Sequence, residues 1–262
     1  MENNDFSYLP FYYSQIYPFN KIYKWLNTNE NREFSFTLQN NIYCRYLSFK
    51  DTDSFKEKVI KENPIKIDIG AEYYTIPHKN ITNPKKKELT FDVDLTDYER
   101  TCCTDKLMCN ECFIFVKIAI NLLEYSLKEE FGFKDIKFIF SGGRGVHCWV
   151  SDKTALYLDD IERRSILNFL KPKDKPLEYQ RIIENLVYDY HDKDFNNYFI
   201  KLDAEITSSK KHLLKSPFCV HPRSKKICVP LQNYKDLMLE DIPDIHEIYK
   251  DNTAIIPFLN NF

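Results

Sequence analysis

Two aspartates stand two residues apart in the apolar run FDVDLTDYER, at positions 92 and 94. A β-strand turns residues i and i+2 to one face, so the carboxylates of Asp92 and Asp94 converge at the strand's end. Converging carboxylates suit hard divalent cations. Magnesium takes one or two of them together with substrate phosphates, and two such ions can clamp an in-line phosphoryl displacement. On their own the same residues also read as an exposed acidic pair near a turn, so the rest of the chain has to decide between the two.

Three other stretches carry chemistry. Cys102, Cys103, Cys109 and Cys112 follow the acidic run in a C-C-x5-C-x2-C spacing. Four thiolates this close can close a tetrahedral zinc site, which would pin the loop after the strand and serve folding, not catalysis; the alternative is a set of buried thiols. The chain has only 5 glycines, and Gly142, Gly143 and Gly145 fall in one turn, Ser141-Gly142-Gly143-Arg144-Gly145. Such a turn can bring backbone N–H groups to an anion, with Arg144 as a charged fork and Ser141 as a hydroxyl, and it suits a triphosphate. It is not a Walker loop, and a plain hairpin would look the same. Further on, KKHLLKSPFCVHP and the residue that follows it gather Lys210, Lys211, Lys215 and Arg223 with His212 and His221 between them, a local basic cluster or simply a solvated loop.

The elements that must position these groups follow from periodicity. Residues Asp5–Thr28 read as a helix or two packed on the core. Arg32–Leu38 and Ile42–Phe49 read as a hairpin turned at Gln39-Asn40-Asn41, which sets Glu33 and Arg45 on adjacent strands. Asp51–Glu62 is a short helix, and Pro64–Tyr74 alternates as a strand around Asp68. Thr75–Glu88 is expected to be a loop with a solvated lysine run, Lys85–Lys87. An amphipathic helix runs from about Glu111 to Phe131, with Ile118, Leu122, Tyr125 and Leu127 on its apolar side. Ile136–Phe140 and Val146–Val150 are strands flanking the glycine turn. Thr154–Lys171 and Leu177–His191 are helices broken apart by Pro172 and Pro176, an insert with no visible chemistry. Tyr198–Ile206 is strand-like and sets Asp203 among apolar residues; residues 240–262 form an acidic, then apolar tail with a closing helix.

The chain has 262 residues, 43% of them apolar, enough for a real core. The net charge of −2 excludes nucleic-acid binding through overall charge and leaves it to local patches. The start MENNDFSYLP does not read as a secretory leader, so the 8 cysteines are expected in a reducing, intracellular compartment, where clusters bind metal before they form disulfides. No apolar run is long enough to span a membrane.

Taken together, Glu88–Cys112, Phe131–Val150 and Asp203–Pro230 resemble the catalytic small subunit of the eukaryotic and archaeal type of DNA primase. The motifs that carry the resemblance are REFSFTL, NPIKIDIGAEY, KELTFDVDLTDYER with its cysteines, EEFGFKDIKFIFSGGRGVHCWVSD and HLLKSPFCVHP. The resemblance implies an α+β prim fold, a mixed sheet core flanked by helices. It implies one catalytic domain over residues 1–262, containing a zinc motif at 100–115 and a reduced helical insert at 152–195. It implies synthesis of short RNA primers on single-stranded DNA from ribonucleoside triphosphates, at the start of DNA replication in the nucleus. Asp92, Asp94 and Asp203 would hold Mg²⁺ or Mn²⁺, with Glu33 an acidic position nearby. Ser141, Gly142, Gly143, Arg144 and His147 would meet the triphosphate from one side, and Lys215 and His221, with His212 close by, from the other. Arg45 would be an active-site arginine and Asp68 a neighbour of the ribose hydroxyl, while Cys102, Cys103, Cys109 and Cys112 would bind structural Zn²⁺. The implied partners are a large subunit carrying an iron–sulfur cluster and the DNA polymerase α complex. The rival readings are a damage-tolerance primase-polymerase using deoxynucleotides and a non-catalytic nucleic-acid-binding subunit. Three departures stand out: Gly143 where many relatives have a second arginine, Lys201 in place of an arginine before Asp203, and a short span between His147 and Asp203.

Overall fold

The computed structural model describes residues 6–103, 108–171, 177–187 and 195–262. In chain order these form α1 (Leu9–Gln15), α2 (Phe19–Leu26), β1 (Arg32–Thr37), β2 (Tyr43–Leu47), α3 (Thr52–Glu62), β3 (Lys66–Tyr73), β4 (Pro84–Lys86) and β5 (Leu89–Asp94). There follow α4 (Asn110–Tyr125), β6 (Ile136–Phe140), β7 (Gly145–Val150), α5 (Lys153–Tyr157), α6 (Asp160–Leu170) and α7 (Leu177–Val187). The last elements are α8 (Ala204–Ser208), β8 (Leu214–Lys215), α9 (Ile245–Lys250) and α10 (Ile256–Asn260).

The strands make two sheets. One runs β2-β1-β3-β4, with β8 on the same edge of β3 as β4 but at the other end; the second runs β5-β7-β6. Every pairing among the described residues is antiparallel, so the α+β class holds while the expected mixed sheet becomes two antiparallel ones. The β1–β2 hairpin turns on Asn40 and Asn41, at φ 64° and 61°, a left-handed conformation that asparagine tolerates better than most residues. The central strand β7 is buried along its whole length, as the apolar run around Trp149 requires.

The aromatic N-terminal helices do more than cover the core. Tyr12 donates its hydroxyl to the Phe218 carbonyl at 2.7 Å, and Tyr17 shares a hydrogen bond with the Ser216 hydroxyl at 2.8 Å. Buried tyrosine hydroxyls need partners, and here those partners fix the chain just after Lys215.

Several sequence expectations need correction. The loop at 75–88 contains β4, and its lysines are not a freely solvated run: Lys85, still partly exposed, and Lys86 pair with Glu72, while Lys87 is fully buried. The helix expected to reach Phe131 leaves α geometry at Ser126, where a π turn runs to Glu130. Thr154–Lys171 is two helices, because Asp159 caps a fresh start by accepting from the backbone N–H of Ile161 and Glu162. The helix expected over Leu177–His191 is described to Val187, and residues 188–191 lie outside the described residues, as do Pro172 and Pro176. The tail closes with two short helices, α9 and α10. Tyr198–Ile206 is not a strand: a 3-10 turn at Phe195–Tyr198 leads through an extended link to α8, whose cap is Asp203.

Candidate active site

β5 is an edge strand of its sheet, and its one partner sets the acidic pair in register. Asp92 lies opposite His147, with Asp92 Oδ1 3.7 Å from His147 Nε2, and Asp94 lies opposite Gly145. No other residue fits at 145, since a Cβ there would stand 1.9 Å from the Val93 carbonyl oxygen. The free edge of β5 receives the third carboxylate's chain: the Asp203 N–H donates to the Asp92 carbonyl at 3.1 Å. Lys201 anchors the same link. Its backbone N–H donates to the Tyr98 hydroxyl at 2.9 Å, and its ammonium donates to the Asp97 carbonyl at 2.6 Å while lying 5.1 Å from the Tyr98 ring centre. These are single contacts that an ammonium makes well, and no carboxylate fork is asked of it.

The electrostatics of this end are those of a cation seat. Burial, with the charges of Asp94 and Asp203, pushes the Asp92 carboxyl up to about 7. A divalent ion would offset the charges of Asp92 and Asp94, so this pair suits Mg²⁺ or Mn²⁺, while the Asp203 carboxylate caps α8 by accepting from the Glu205 and Ile206 N–H groups.

A cleft of about 800 Å³ opens from Asp92 and Asp94 and is walled by the glycine turn, β7, β8 and the segment 221–226. Asp68, Ser141, Gly143, Arg144, His147, Lys215 and His221 all line it, so residues far apart in sequence meet there. Arg144 Nε lies 3.9 Å from Asp94 Oδ1. Lys215 bridges the two basic segments by donating to the Ser141 carbonyl at 3.0 Å. The turn is not the open amide cradle the sequence suggested. The N–H groups of Gly143 and Gly145 donate to Ser141 Oγ at 3.3 and 3.1 Å, leaving that hydroxyl's own proton to point elsewhere. Gly142, at φ +79°, lets the turn pass under His221, where a Cβ would come within 2.7 Å of the His221 Cβ.

The two histidines are held neutral. Burial, then the charges of Lys215 and Lys66, brings His147 down to about 3; burial, then Lys215, Arg223 and Arg144, brings His221 down to about 4. His221 Nδ1 accepts from the Ser224 backbone N–H at 3.2 Å, which assigns the ring proton to Nε2, on the side of Gly143. The Ser224 hydroxyl in turn donates to the Gly142 carbonyl, locking the loop to the turn.

Five expected active-site residues are not on the cleft walls: Glu33, Arg45, Gly142, Asp203 and His212. Glu33 is fully buried on β1, taking the Arg45 guanidinium at 2.9 Å and the Tyr73 hydroxyl at 3.2 Å. Arg45 stacks on Tyr46 at 5.1 Å, and His212 lies 3.9 Å from Glu205. Conversely, Lys66 and Ser224 line the cleft without having been singled out. Lys66 pairs with Asp68 at 3.1 Å, a same-face i, i+2 relation that strand alternation could have revealed. Ser35 donates to Asp68 at 3.2 Å from the neighbouring strand.

The four cysteines gather at the start of α4, with Cys109 as its cap and Cys112 in its first turn. Their sulfur atoms lie within 4.8 Å of one another, with Cys102 and Cys112 at 3.1 Å and Cys109 and Cys112 at 3.7 Å. Zinc–thiolate bonds of about 2.3 Å ask for sulfurs roughly 3.8 Å apart, so the set fits a tetrahedral ion. Burial works against the Cys112 thiolate, but a backbone hydrogen bond at Cys109, the neighbouring thiols and Arg100 together bring it down to about 7. Among the described residues no helix is long and apolar enough to cross a membrane.

Comparison with known proteins gives this geometry a family. The family model described as DNA primase small subunit matches residues 91–232. The DNA primase small subunit of Saccharomyces cerevisiae is 30% identical over 365 aligned positions, covering 97% of this chain and 89% of that one; the protein of the same name from Drosophila melanogaster is 31% identical, covering 85% and 75%. Those alignments are longer than this chain, so the yeast and fly proteins carry insertions that it lacks. The DNA primase small subunit PriS of Pyrobaculum islandicum aligns over 253 positions at 25% identity, covering 89% and 81%, and needs no such extension. A solved structure titled Polymerase Domain from Mycobacterium tuberculosis Ligase D in complex with DNA shares the fold at a TM-score of 0.50 and 11% identity, over 97% of this chain and 90% of that one. The chain belongs to the DNA primase small subunit family.

Proposed function

We propose that this DNA primase small subunit joins ribonucleoside triphosphates into short RNA primers on a single-stranded DNA template, by two-metal nucleotidyl transfer in the cleft at Asp92. One observation carries the reading: Asp92, Asp94 and the Asp203 chain meet at one end of a cleft whose walls carry Arg144, Lys215 and His221.

Asp92 and Asp94, with Asp203 beside them, would hold Mg²⁺ or Mn²⁺, which would supply activation of the primer-end hydroxyl and charge neutralisation for the pyrophosphate leaving group. The chain supplies the rest. Asp92 and Asp94 place negative charge where cations and triphosphate must meet, and Asp203 closes the set from the edge of β5. Arg144 and Lys215 face the same volume and offset phosphate charge without reorganising. His221, neutral with its proton on Nε2, donates a hydrogen bond from the opposite wall, and the Ser141 hydroxyl donates from the turn. Asp68, held by Lys66 and Ser35, is the acceptor available to a ribose 2′-hydroxyl. No side-chain nucleophile is needed. Glu33 and Arg45 shape the sheet beside the cleft, the buried carboxylate tied to a partly exposed guanidinium.

Zn²⁺ at Cys102, Cys103, Cys109 and Cys112 would be structural. The start of a chain joins two nucleotides with no primer to hold them, so a large subunit with an iron–sulfur cluster, working beside DNA polymerase α in the nucleus, completes the proposed assembly.

The test is incorporation of labelled ribonucleotides on a homopolymeric single-stranded DNA template with Mg²⁺ or Mn²⁺. The expected result is short RNA chains made without a supplied primer once the large subunit is added, and extension of a supplied primer by the small subunit alone. A strong preference for deoxynucleotides, or no transfer with either, would overturn the reading.

A further inference from the structure

Behind the cleft lies a buried charge cluster that the proposed reaction does not use. Arg32, Lys87 and Arg163 have no exposed surface and Glu88 has 2%, which puts three basic side chains beside one carboxylate. Buried cations are costly unless their donors are satisfied. Arg32 meets that need with a two-bond fork on Glu88, at 2.8 and 2.9 Å. The other two reach for backbone. Arg163, on α6 of the helical insert, donates to the Glu88 carbonyl at 2.9 Å and to the Lys87 carbonyl at 2.6 Å. Lys87 extends its ammonium to the His212 carbonyl at 2.5 Å.

The places these bonds join give them a use. The carbonyls of Lys87 and Glu88 are the last ones before β5, the strand of Asp92 and Asp94. The backbone N–H of Lys87 also donates to the Leu156 carbonyl at 2.9 Å, so the insert grips the strand's entry from both sides. His212 opens the segment that becomes β8 and presents Lys215. The same helix α6 packs against α8, which starts at Asp203, and its Asp160 accepts from the Lys210 N–H at 3.2 Å. One helix thus touches three of the chain segments that bring charge to the cleft: the entry to β5, the start of α8 and the approach to β8.

We infer that Arg163 and Lys87 are positioning residues, Arg163 setting the β5 carboxylates against Asp203 and Lys87 setting Lys215 against them, with the short helical insert as the brace that carries Arg163. The inference rests on the proposed function. Arginine suits 163 because its separate nitrogens reach the Glu88 and Lys87 carbonyls while Nε donates to the Leu158 carbonyl at 3.0 Å, a spread that one ammonium or amide nitrogen does not reproduce.

The two residues predict a split. Arg163→Lys and Arg163→Gln loosen the carboxylates, so the Mg²⁺ concentration for half-maximal primer extension rises about tenfold, Mn²⁺ restores most of the rate, and KM for the nucleotide moves little. Lys87→Met does the reverse: nucleotide KM rises about tenfold and the metal dependence stays. A merely structural role would lower the fraction of folded enzyme and the melting temperature without moving either constant. Lys87→Met removes a charge from the core and therefore folds even where Arg163→Gln does not. Wild-type protein that makes no chains under any metal defeats the proposed function itself. Active wild type beside folded variants with unchanged metal dependence and unchanged KM overturns this inference alone.

Discussion

The backbone N–H of Asp203 donates to the carbonyl of Asp92 at 3.1 Å, and so the third carboxylate reaches the first two through main chain, not through side-chain attraction. Three carboxylates repel one another, and a fold that relied on their side chains would push them apart. Here the edge of β5 imposes the proximity, and the raised pKa of Asp92 records the cost of its burial first and of its acidic neighbours second.

That cost gives the first prediction. With its ordinary value near 3.8 raised to about 7, Asp92 takes up a proton in the folded protein at a pH where the unfolded chain has lost it. The metal-free protein therefore loses stability as pH rises from about 4 to about 7, and the full penalty stands above that. Asp92→Asn removes the penalty. Thermal melts in chelator at about pH 8 should show the variant more stable by about 2 kcal/mol, while its nucleotidyl transfer falls at least about a hundredfold. Equal stability at pH 8 would mean that the folded protein incurs no penalty for ionising Asp92, whether from burial or from its acidic neighbours.

Gly143 and His221 form a second constrained pair. A Cβ at 143 would come within 2.9 Å of His221 Nε2, and Ser224 holds the ring from its other nitrogen. Gly143→Ala must therefore swing the imidazole out of the cleft. Nucleotide KM is expected to rise about threefold to tenfold with the melting temperature nearly unchanged. Nitrogen NMR of the labelled histidine, showing the Nε2–H tautomer in the wild type and a tautomeric mixture in the variant, checks the cause directly; an unchanged spectrum contradicts it.

Zinc content supplies the third. One zinc per chain is expected, lost in Cys112→Ser, with unfolding easier by about 3 kcal/mol or more because the ion joins the loop after β5 to α4. Activity should fall only as far as folding does. A metal-free preparation with wild-type stability would return the cysteines to the status of ordinary thiols.

Buried Lys87 gives the fourth, with the opposite sign to Asp92. Burial, together with the charge of Arg163, brings its ammonium down to about 7 from an ordinary 10.5. Between those values the unfolded chain binds the proton and the folded chain does not, so this group lends the protein stability as pH rises through the window and withdraws it as pH falls to about 7. The stability difference between Lys87→Met and wild type should favour the variant by a few kcal/mol near pH 7 and shrink steadily toward pH 10. A difference independent of pH would show Lys87 protonated in both states.

Much of this was legible from side-chain period. Alternation gave β5 and its paired carboxylates, the asparagine turn gave the hairpin, and the glycines marked the turn against which His221 sits. Adjacent strands placed Glu33 beside Arg45, and the structure makes that a bond at 2.9 Å. What escaped was set by contacts distant in sequence. Asp203 looked like a strand residue because its neighbours are apolar, but it makes one backbone bond to a sheet edge and then caps a helix. Lys87 looked solvated because it sits in a lysine run, and the His212 carbonyl that takes its buried ammonium lies far along the chain. Ser141 looked like a phosphate ligand with free amides around it, yet its own oxygen takes two of them.

The most direct test of the central claim is the position of manganese and phosphate in crystals grown with Mn²⁺ and a ribonucleoside triphosphate. Anomalous peaks at the carboxylates of Asp92 and Asp94, with the triphosphate lying between Arg144 and Lys215, are the predicted result. Manganese bound away from these aspartates, or a triphosphate seated outside this cleft, would contradict the account.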